Sequence, residues 1–101
     1  MIIYTDFLIP KKFSGYNIGF VILIRPSKKD DRGLLEHEKV HVRQFLNPRW
    51  WFRSKLEWEI AAYREQLKWY PDDRSTLFAT YIATKYGINI TIDEAKRRLT
   101  C

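Results

Sequence analysis

Four prolines divide this chain into segments, because proline fixes its own backbone angle and lacks the N–H that a helix or a central strand requires. The segments before the second proline are rich in β-branched and aromatic residues, and those after it show helical periodicity. The chain is therefore expected to begin with strands and to continue with helices. The dividing residues are Pro10, Pro26, Pro48 and Pro71.

The two N-terminal segments predict a small sheet. Residues 2–9 and residues 16–25 each have the composition of a strand that ends at the following proline. The residues between them, KKFSG, are typical of a turn, so we expect the two strands to pair antiparallel. Because an isolated pair of strands is only marginally stable, this sheet should pack on helices.

The remaining segments predict four helices. The first ends at Asn47, before a proline, and the second covers residues 49–70. The third ends at Gly87, and the fourth begins with a capping box at Thr91. The predicted fold class is α+β, with a small N-terminal antiparallel sheet packed on about four α-helices. We expect a single domain over residues 1–101.

Composition limits the classes of protein to which the chain can belong. Its 46% of hydrophobic residues is typical of a globular protein. The net charge is +6, and the lysines and arginines are scattered along the sequence. This distribution favours a solvated surface over a nucleic-acid-binding one. No apolar run approaches the roughly 18 residues of a membrane span, and the N-terminus lacks the basic start of a secretory signal. A single cysteine excludes a disulfide within the chain. The expected location is the cytoplasm.

The segment LLEHEKVHVRQF, residues 34–45, contains an HExxH pattern. His37 and His41 stand one helical turn apart on one face, so both imidazoles can bind one zinc ion. Glu38 flanks that face and can reach a water on the metal without being a ligand. The alternative is an ordinary amphipathic helix, with the histidines at its edge and with Leu34, Val42 and Phe45 packed inward.

A catalytic zinc ion usually has three protein ligands, and the next helix offers two neighbouring glutamates. Glu57 falls on a basic face, four residues after Arg53. Glu59 instead lies on an apolar stripe, where an unpaired carboxylate is costly, and a zinc ion on the facing helix would supply the missing cation. A hydrogen bond to a tyrosine or an arginine is the alternative. The stripe consists of Leu56, Glu59, Ile60, Tyr63, Leu67 and Tyr70.

The residues HEKVH, 37–41, followed by EIAAY, 59–63, resemble the gluzincin metallopeptidases. The resemblance is closer to the catalytic cores of the CAAX-type prenyl-protein proteases and to their small soluble versions, the minigluzincins. It extends over essentially the whole chain and implies a zincin-like fold. It further implies one Zn²⁺ per chain, held by His37, His41 and Glu59, with Glu38 as general base. Many gluzincins have an aspartate four residues after the glutamate ligand, where this chain has Tyr63.

The resemblance implies hydrolysis of peptide bonds in a peptide or protein substrate by a zinc-activated water. An edge strand within residues 16–24 is the candidate substrate-binding strand, although VILI in it is expected to pack mainly into the core. Tyr16, Tyr63, Tyr81 and several arginines remain candidates for stabilising the tetrahedral intermediate. The alternatives are a catalytically weak or inactive zinc-binding scaffold of the same fold and, further, a basic nucleic-acid-binding domain.

Two further features have competing interpretations. In minigluzincins a C-terminal tail is associated with latency, so Cys101 could cap the open zinc position of a zymogen. A frayed terminus is the interpretation we favour.

The tryptophans could stack on nucleic-acid bases, but packing of one helix start against its neighbour is favoured. They are Trp50, Trp51, Trp58 and Trp69. The oligomeric state is not predicted.

Overall fold

The computed structural model describes residues 1–100, which form three strands and four α-helices. This confirms the α+β class. The strands are β1 (Ile2–Tyr4), β2 (Gly15–Ile18) and β3 (Val21–Ile24), and the helices are α1 (Arg32–Leu46), α2 (Lys55–Leu67), α3 (Ser75–Lys85) and α4 (Ile92–Thr100). Short 3₁₀ turns at Pro26–Lys28 and Pro48–Trp50 precede α1 and follow it.

The sheet is mixed, so the predicted antiparallel pairing of residues 2–9 with residues 16–25 is wrong. β3 is central, with β2 antiparallel on one side and β1 parallel on the other. The second segment contains a hairpin, because Gly19 takes a positive φ of 59° and turns the chain back between β2 and β3. The first segment contributes only three residues to the sheet.

A loop of ten residues joins β1 to β2. Arg25, which directly follows β3, holds this loop against the end of the sheet. Its guanidinium donates hydrogen bonds to the backbone carbonyls of Phe13, Ile9 and Pro10 and pairs with Asp6. Planar guanidinium groups with several donors are well suited to such multiple contacts. This contact fixes the position of the loop beside the cleft described below.

Helix α1 has a capped first turn and ends where its sequence predicts. The Asp31 carboxylate accepts a hydrogen bond from the Leu34 N–H and caps the first turn. At the other end, Asn47 has an extended conformation, as expected for a residue before proline. The buried face of α1 is largely polar and consists of Gly33, Glu36, His37, Glu38, Val40, His41 and Gln44.

Helix α2 begins six residues later than the predicted start at residue 49. The Ser54 hydroxyl accepts a hydrogen bond from the Glu57 N–H and caps the helix at this point. The residues before it form the 3₁₀ turn and a bend. The aromatic-rich segment before Ser54 therefore lies outside the helix, because this serine satisfies one of the free N–H groups of the first turn.

The core holds α2, α3 and α4 together. Its buried side chains are Tyr63, Phe78, Ala79, Ile82, Ala95 and Leu99. Each large apolar side chain in such a cluster contributes about 1.5–3 kcal/mol by leaving water, so the cluster fixes the position of α2 and the residues it carries. Two predicted helix boundaries are confirmed here: Gly87 has a φ of 68° after α3, and the Thr91 hydroxyl accepts from the Glu94 N–H.

Candidate metal site

The two histidines of HExxH point inward from α1 and face each other. Both are buried, with side chains exposed by 4% and 9%. The His37 Nε2 and His41 Nε2 atoms are 3.2 Å apart, a separation that follows from their i and i+4 positions on one helix face. The alternative interpretation placed Phe45 inward, whereas that side chain is exposed.

Glu59 of α2 completes the group from the facing helix. Its Oε1 atom lies 3.3 Å from His41 Nε2 and 3.6 Å from His37 Nε2. Glu57 points outward and pairs with Arg53 at 3.0 Å, which confirms the predicted difference between the two glutamates. The buried group of His37, His41 and Glu59 could hold a metal ion.

Electrostatic interactions within the group shift the pKa values of Glu59 and His41. Burial alone would raise the pKa of Glu59, but His37 and His41 outweigh it and lower the pKa to about 2. Burial would likewise lower the pKa of His41, but Glu59 and, more weakly, Glu38 raise the pKa to about 9. The Glu59 Oε1 atom nevertheless forms no well-aligned hydrogen bond. A buried carboxylate oxygen without such a partner is the type of atom that a cation stabilises.

Gln44 orients His41, and the sequence analysis missed it. The Gln44 side-chain amide donates to the Trp58 carbonyl at 3.1 Å, so its oxygen faces His41 Nδ1 at 2.9 Å. The His41 Nδ1–H then donates to that oxygen, and Nε2 is directed towards Glu59. The available signal was position, because Gln44 is i+3 from His41 and i+7 from His37 on the same face.

His37 is held by packing instead. Its ring lies edge-on to Tyr63 with centroids 4.3 Å apart. The buried His37 Nδ1 atom has no hydrogen-bond partner among residues 1–100. The Tyr63 hydroxyl is directed away, to the Tyr86 hydroxyl at 2.6 Å. Tyr63 therefore fixes the imidazole through its ring and does not serve as a hydrogen-bond acceptor for it, unlike the aspartate that many gluzincins have at the corresponding position.

Glu38 stands between the histidines and the sheet. Its carboxylate Oε2 is 3.9 Å from His37 Nε2, and its side chain packs beside Gly15 of β2, where an added Cβ would lie 3.4 Å from it. Burial raises the pKa of Glu38, and the neighbouring histidines only partly offset this. A carboxylate with a raised pKa is suited to accepting and returning a proton near neutral pH.

A cleft of about 440 Å³ opens over the site. It is lined by His37, His41 and Glu59, by Glu38 and by the start of the edge strand β2. Of the tyrosines considered from the sequence, Tyr16 lines this cleft, Tyr81 lines a neighbouring cavity, and Tyr63 is buried. Tyr86 also lines the cleft and was missed. Burial, followed by the charge of Glu59, raises the pKa of Tyr86, so its phenol stays protonated at neutral pH.

The tryptophans divide into packed and exposed members. Trp58 stacks on the His41 ring at 6.4 Å, and Trp50 lies edge-on to Trp58, in accordance with the predicted packing role. Trp51 is 61% exposed, and its indole N–H donates to the Phe45 carbonyl. The proposed zinc-capping residue Cys101 lies outside the described residues.

Comparisons with protein-family models, with curated proteins and with solved structures gave no significant match. Within residues 1–100, no helix has the length and apolar character needed to cross a membrane. The interpretation of function therefore rests on the geometry of the site.

Proposed function

We propose that this protein is a small cytoplasmic zinc-dependent metallopeptidase of minimal gluzincin type. The observation that carries the proposal is the separation of the three ligand atoms, 3.2, 3.3 and 3.6 Å. Ligands of a tetrahedral zinc ion with bonds of about 2.0–2.1 Å stand roughly 3.3 Å apart. The donor set of two imidazoles and one carboxylate is also that of known catalytic zinc sites.

When bound, zinc would supply Lewis acidity that polarises a carbonyl and lowers the pKa of water. Glu38 would take a proton from the attacking water and return it to the leaving amine. Its place beside the histidines, next to the cleft and with a raised pKa, supports this role. The protonated hydroxyl of Tyr86 is the group that we propose to donate a hydrogen bond to the substrate carbonyl oxygen.

The first experiment titrates zinc into the purified protein at neutral pH and counts ions per chain. One tightly bound ion is expected. Glu59→Ala should weaken zinc binding by at least about 100-fold, because it removes a ligand. Glu57→Ala, two residues away on the outer face, is the matched control and should bind zinc normally. Equal binding by both variants would reject the assignment of Glu59.

The second experiment tests catalysis. Glu38→Gln should lower peptide hydrolysis by about 10²–10⁴-fold, the usual contribution of a general base, while it retains one zinc ion. Hydrolysis that survives this substitution would remove Glu38 from the mechanism.

A zinc-binding scaffold with little peptidase activity is the second candidate. The unpaired His37 Nδ1 supports it, because zinc-bound histidines usually donate this N–H to an acceptor that increases their basicity. Stoichiometric zinc without measurable hydrolysis across a mixed peptide library would favour this candidate.

A further inference from the structure

Three lysines line the cleft that contains the metal-binding group. Lys12 belongs to the loop between β1 and β2, Lys55 is the first residue of α2, and Lys85 is the last residue of α3. Three separate parts of the chain therefore bring positive charge to one cavity.

None of these three lysines pairs with a carboxylate among residues 1–100. Each instead lies near an aromatic ring: Lys12 is 5.3 Å from Phe13, Lys55 is 5.7 Å from Tyr86, and Lys85 is 3.9 Å from Tyr81. Such cation–π contacts position the ammonium groups but do not neutralise them.

The positive charge of Lys12 also acts unfavourably on Lys85, whose ammonium is held beside the Lys12 backbone. The Lys85 ammonium donates to the Lys12 carbonyl at 2.9 Å. Burial and the charge of Lys12 lower the pKa of Lys85. A negative group between these side chains would relieve the repulsion.

The acidic residues of the cleft do not meet this need. They are Glu38 and Glu59, and both are buried against the histidines of α1. The cleft thus has the proposed metal site at one part of its wall and unneutralised ammonium groups at another. The start of β2 also lines the cleft, and this strand pairs with β3 on one side only and so has an open edge for an extended peptide.

We propose that Lys12, Lys55 and Lys85 bind a carboxylate of the peptide that lies in the cleft. This inference rests on the proposed peptidase function and names its substrate class. The carboxylate belongs either to an aspartate or glutamate side chain near the scissile bond or to the C-terminus of the peptide. Ammonium groups bind such carboxylates as point charges that tolerate either source.

The test is a binding measurement that needs no hydrolysis. Three fluorescent peptides of one length are compared by anisotropy: one with internal acidic residues and an amidated C-terminus, one neutral with a free C-terminal carboxylate, and one neutral and amidated. They are titrated with zinc-loaded Glu38→Gln protein and with chelator-treated wild-type protein. One of the two anionic peptides is expected to bind at least about 10-fold more tightly than the neutral amidated peptide.

Matched variants distinguish binding at the cleft lysines from attraction to the overall positive charge of the protein. Lys12→Gln and Lys55→Gln should each weaken the anionic peptide by about 3- to 10-fold and leave the neutral peptide unchanged. Lys11→Gln and Lys68→Gln remove the same charge outside the cleft lining and should leave both peptides unchanged. Unfolding midpoints of all four variants are measured alongside, so that a folding defect is recognised.

Each outcome decides the inference. Preference for the internal acidic peptide assigns the site to a side chain, and preference for the free carboxylate assigns it to a C-terminus. Equal binding of all peptides, or equal losses in the cleft variants and their controls, overturns the inference. Failure of zinc binding would reject the peptidase proposal, but the anisotropy measurement would still show whether the cleft binds carboxylates. Zinc-dependent hydrolysis without a preference for carboxylates would reject this inference alone.

Discussion

At the scale of single residues, the two histidines are held by different means. His41 donates its Nδ1–H to Gln44, which is itself anchored on the Trp58 carbonyl. The His37 Nδ1 atom has no such acceptor among residues 1–100, and the Tyr63 ring packs against its imidazole. A hydrogen bond sets both the tautomer and the basicity of an imidazole, whereas packing sets only its direction. The two imidazoles should therefore respond differently to substitutions of the residues around them.

Gln44→Leu removes the acceptor of His41 Nδ1–H and leaves the Trp58 carbonyl without its donor. We expect zinc affinity to fall by about 10–100-fold and the free energy of unfolding to fall by about 1–3 kcal/mol. Gln44→Glu keeps an acceptor for His41 and should recover much of the zinc affinity but not the bond to Trp58. Competition with a zinc indicator and urea unfolding measure the two effects. Equal affinities of the two variants would show that Gln44 does not act through His41.

At the scale of elements, α1 and α2 approach each other closely near their ends. The Tyr70 hydroxyl, just beyond α2, donates to the Asp31 cap of α1 and accepts from Gln66. Gly33 makes this approach possible, since a Cβ there would lie 2.6 Å from the Tyr70 hydroxyl. The register of these helices also sets the distance between the histidines of α1 and Glu59 of α2.

Gly33→Ala should destabilise the protein by about 1–3 kcal/mol because the added methyl group displaces Tyr70. In a Tyr70→Ala background the same change should be neutral or stabilising by up to about 1 kcal/mol, the usual preference of a helix for alanine. Urea unfolding of the four proteins in this cycle gives the coupling. Additive effects would contradict the close contact.

The sequence predicted most element boundaries that depend on local chemistry. Asn47 before proline, Gly87 after α3 and the Thr91 cap all act over a few residues and are found where expected. The strand pairing and the start of α2 were mispredicted. Parallel pairing of β1 with β3 depends on residues far apart in sequence, and the segment before Ser54 was expected to be helical but forms a 3₁₀ turn and a bend.

At the scale of the whole molecule, stability depends on the charges buried between α1 and α2. The folded protein holds Glu59 ionised beside His41, and their pKa values move to about 2 and about 9. The attraction within such a pair is present only while both members are charged. The pH dependence of unfolding in the metal-free protein therefore reports on the site.

In the metal-free protein, kept so by a chelator, the free energy of unfolding should decrease from pH 6.5 to pH 9. The pKa of His41 is raised from 6.5 to about 9 on folding, so its stabilisation is complete below pH 6.5 and is lost as the pH rises through 9. The loss is at most about 3 kcal/mol. The lowered pKa of Glu59 acts oppositely: its stabilisation is present above pH 4.5 and is lost as the pH falls towards 2.

Urea unfolding at intervals between pH 5 and pH 10 measures the expected decrease in the free energy of unfolding at basic pH. His41→Gln is the control and should show little change between pH 6.5 and pH 9. A wild-type profile as flat as that of the variant would contradict the ion pair.

By itself, the sequence determined the α+β class and the inward position of Glu59 on α2, with Glu57 on the outer face. These follow from helical periodicity and from the high free energy of an unpaired charge on an apolar face. Only the tertiary structure decided the mixed sheet, the support of His41 by Gln44 and the meeting of three lysines in one cleft. Those features arise from contacts between distant segments, whose relative positions are set by packing and not by local spacing.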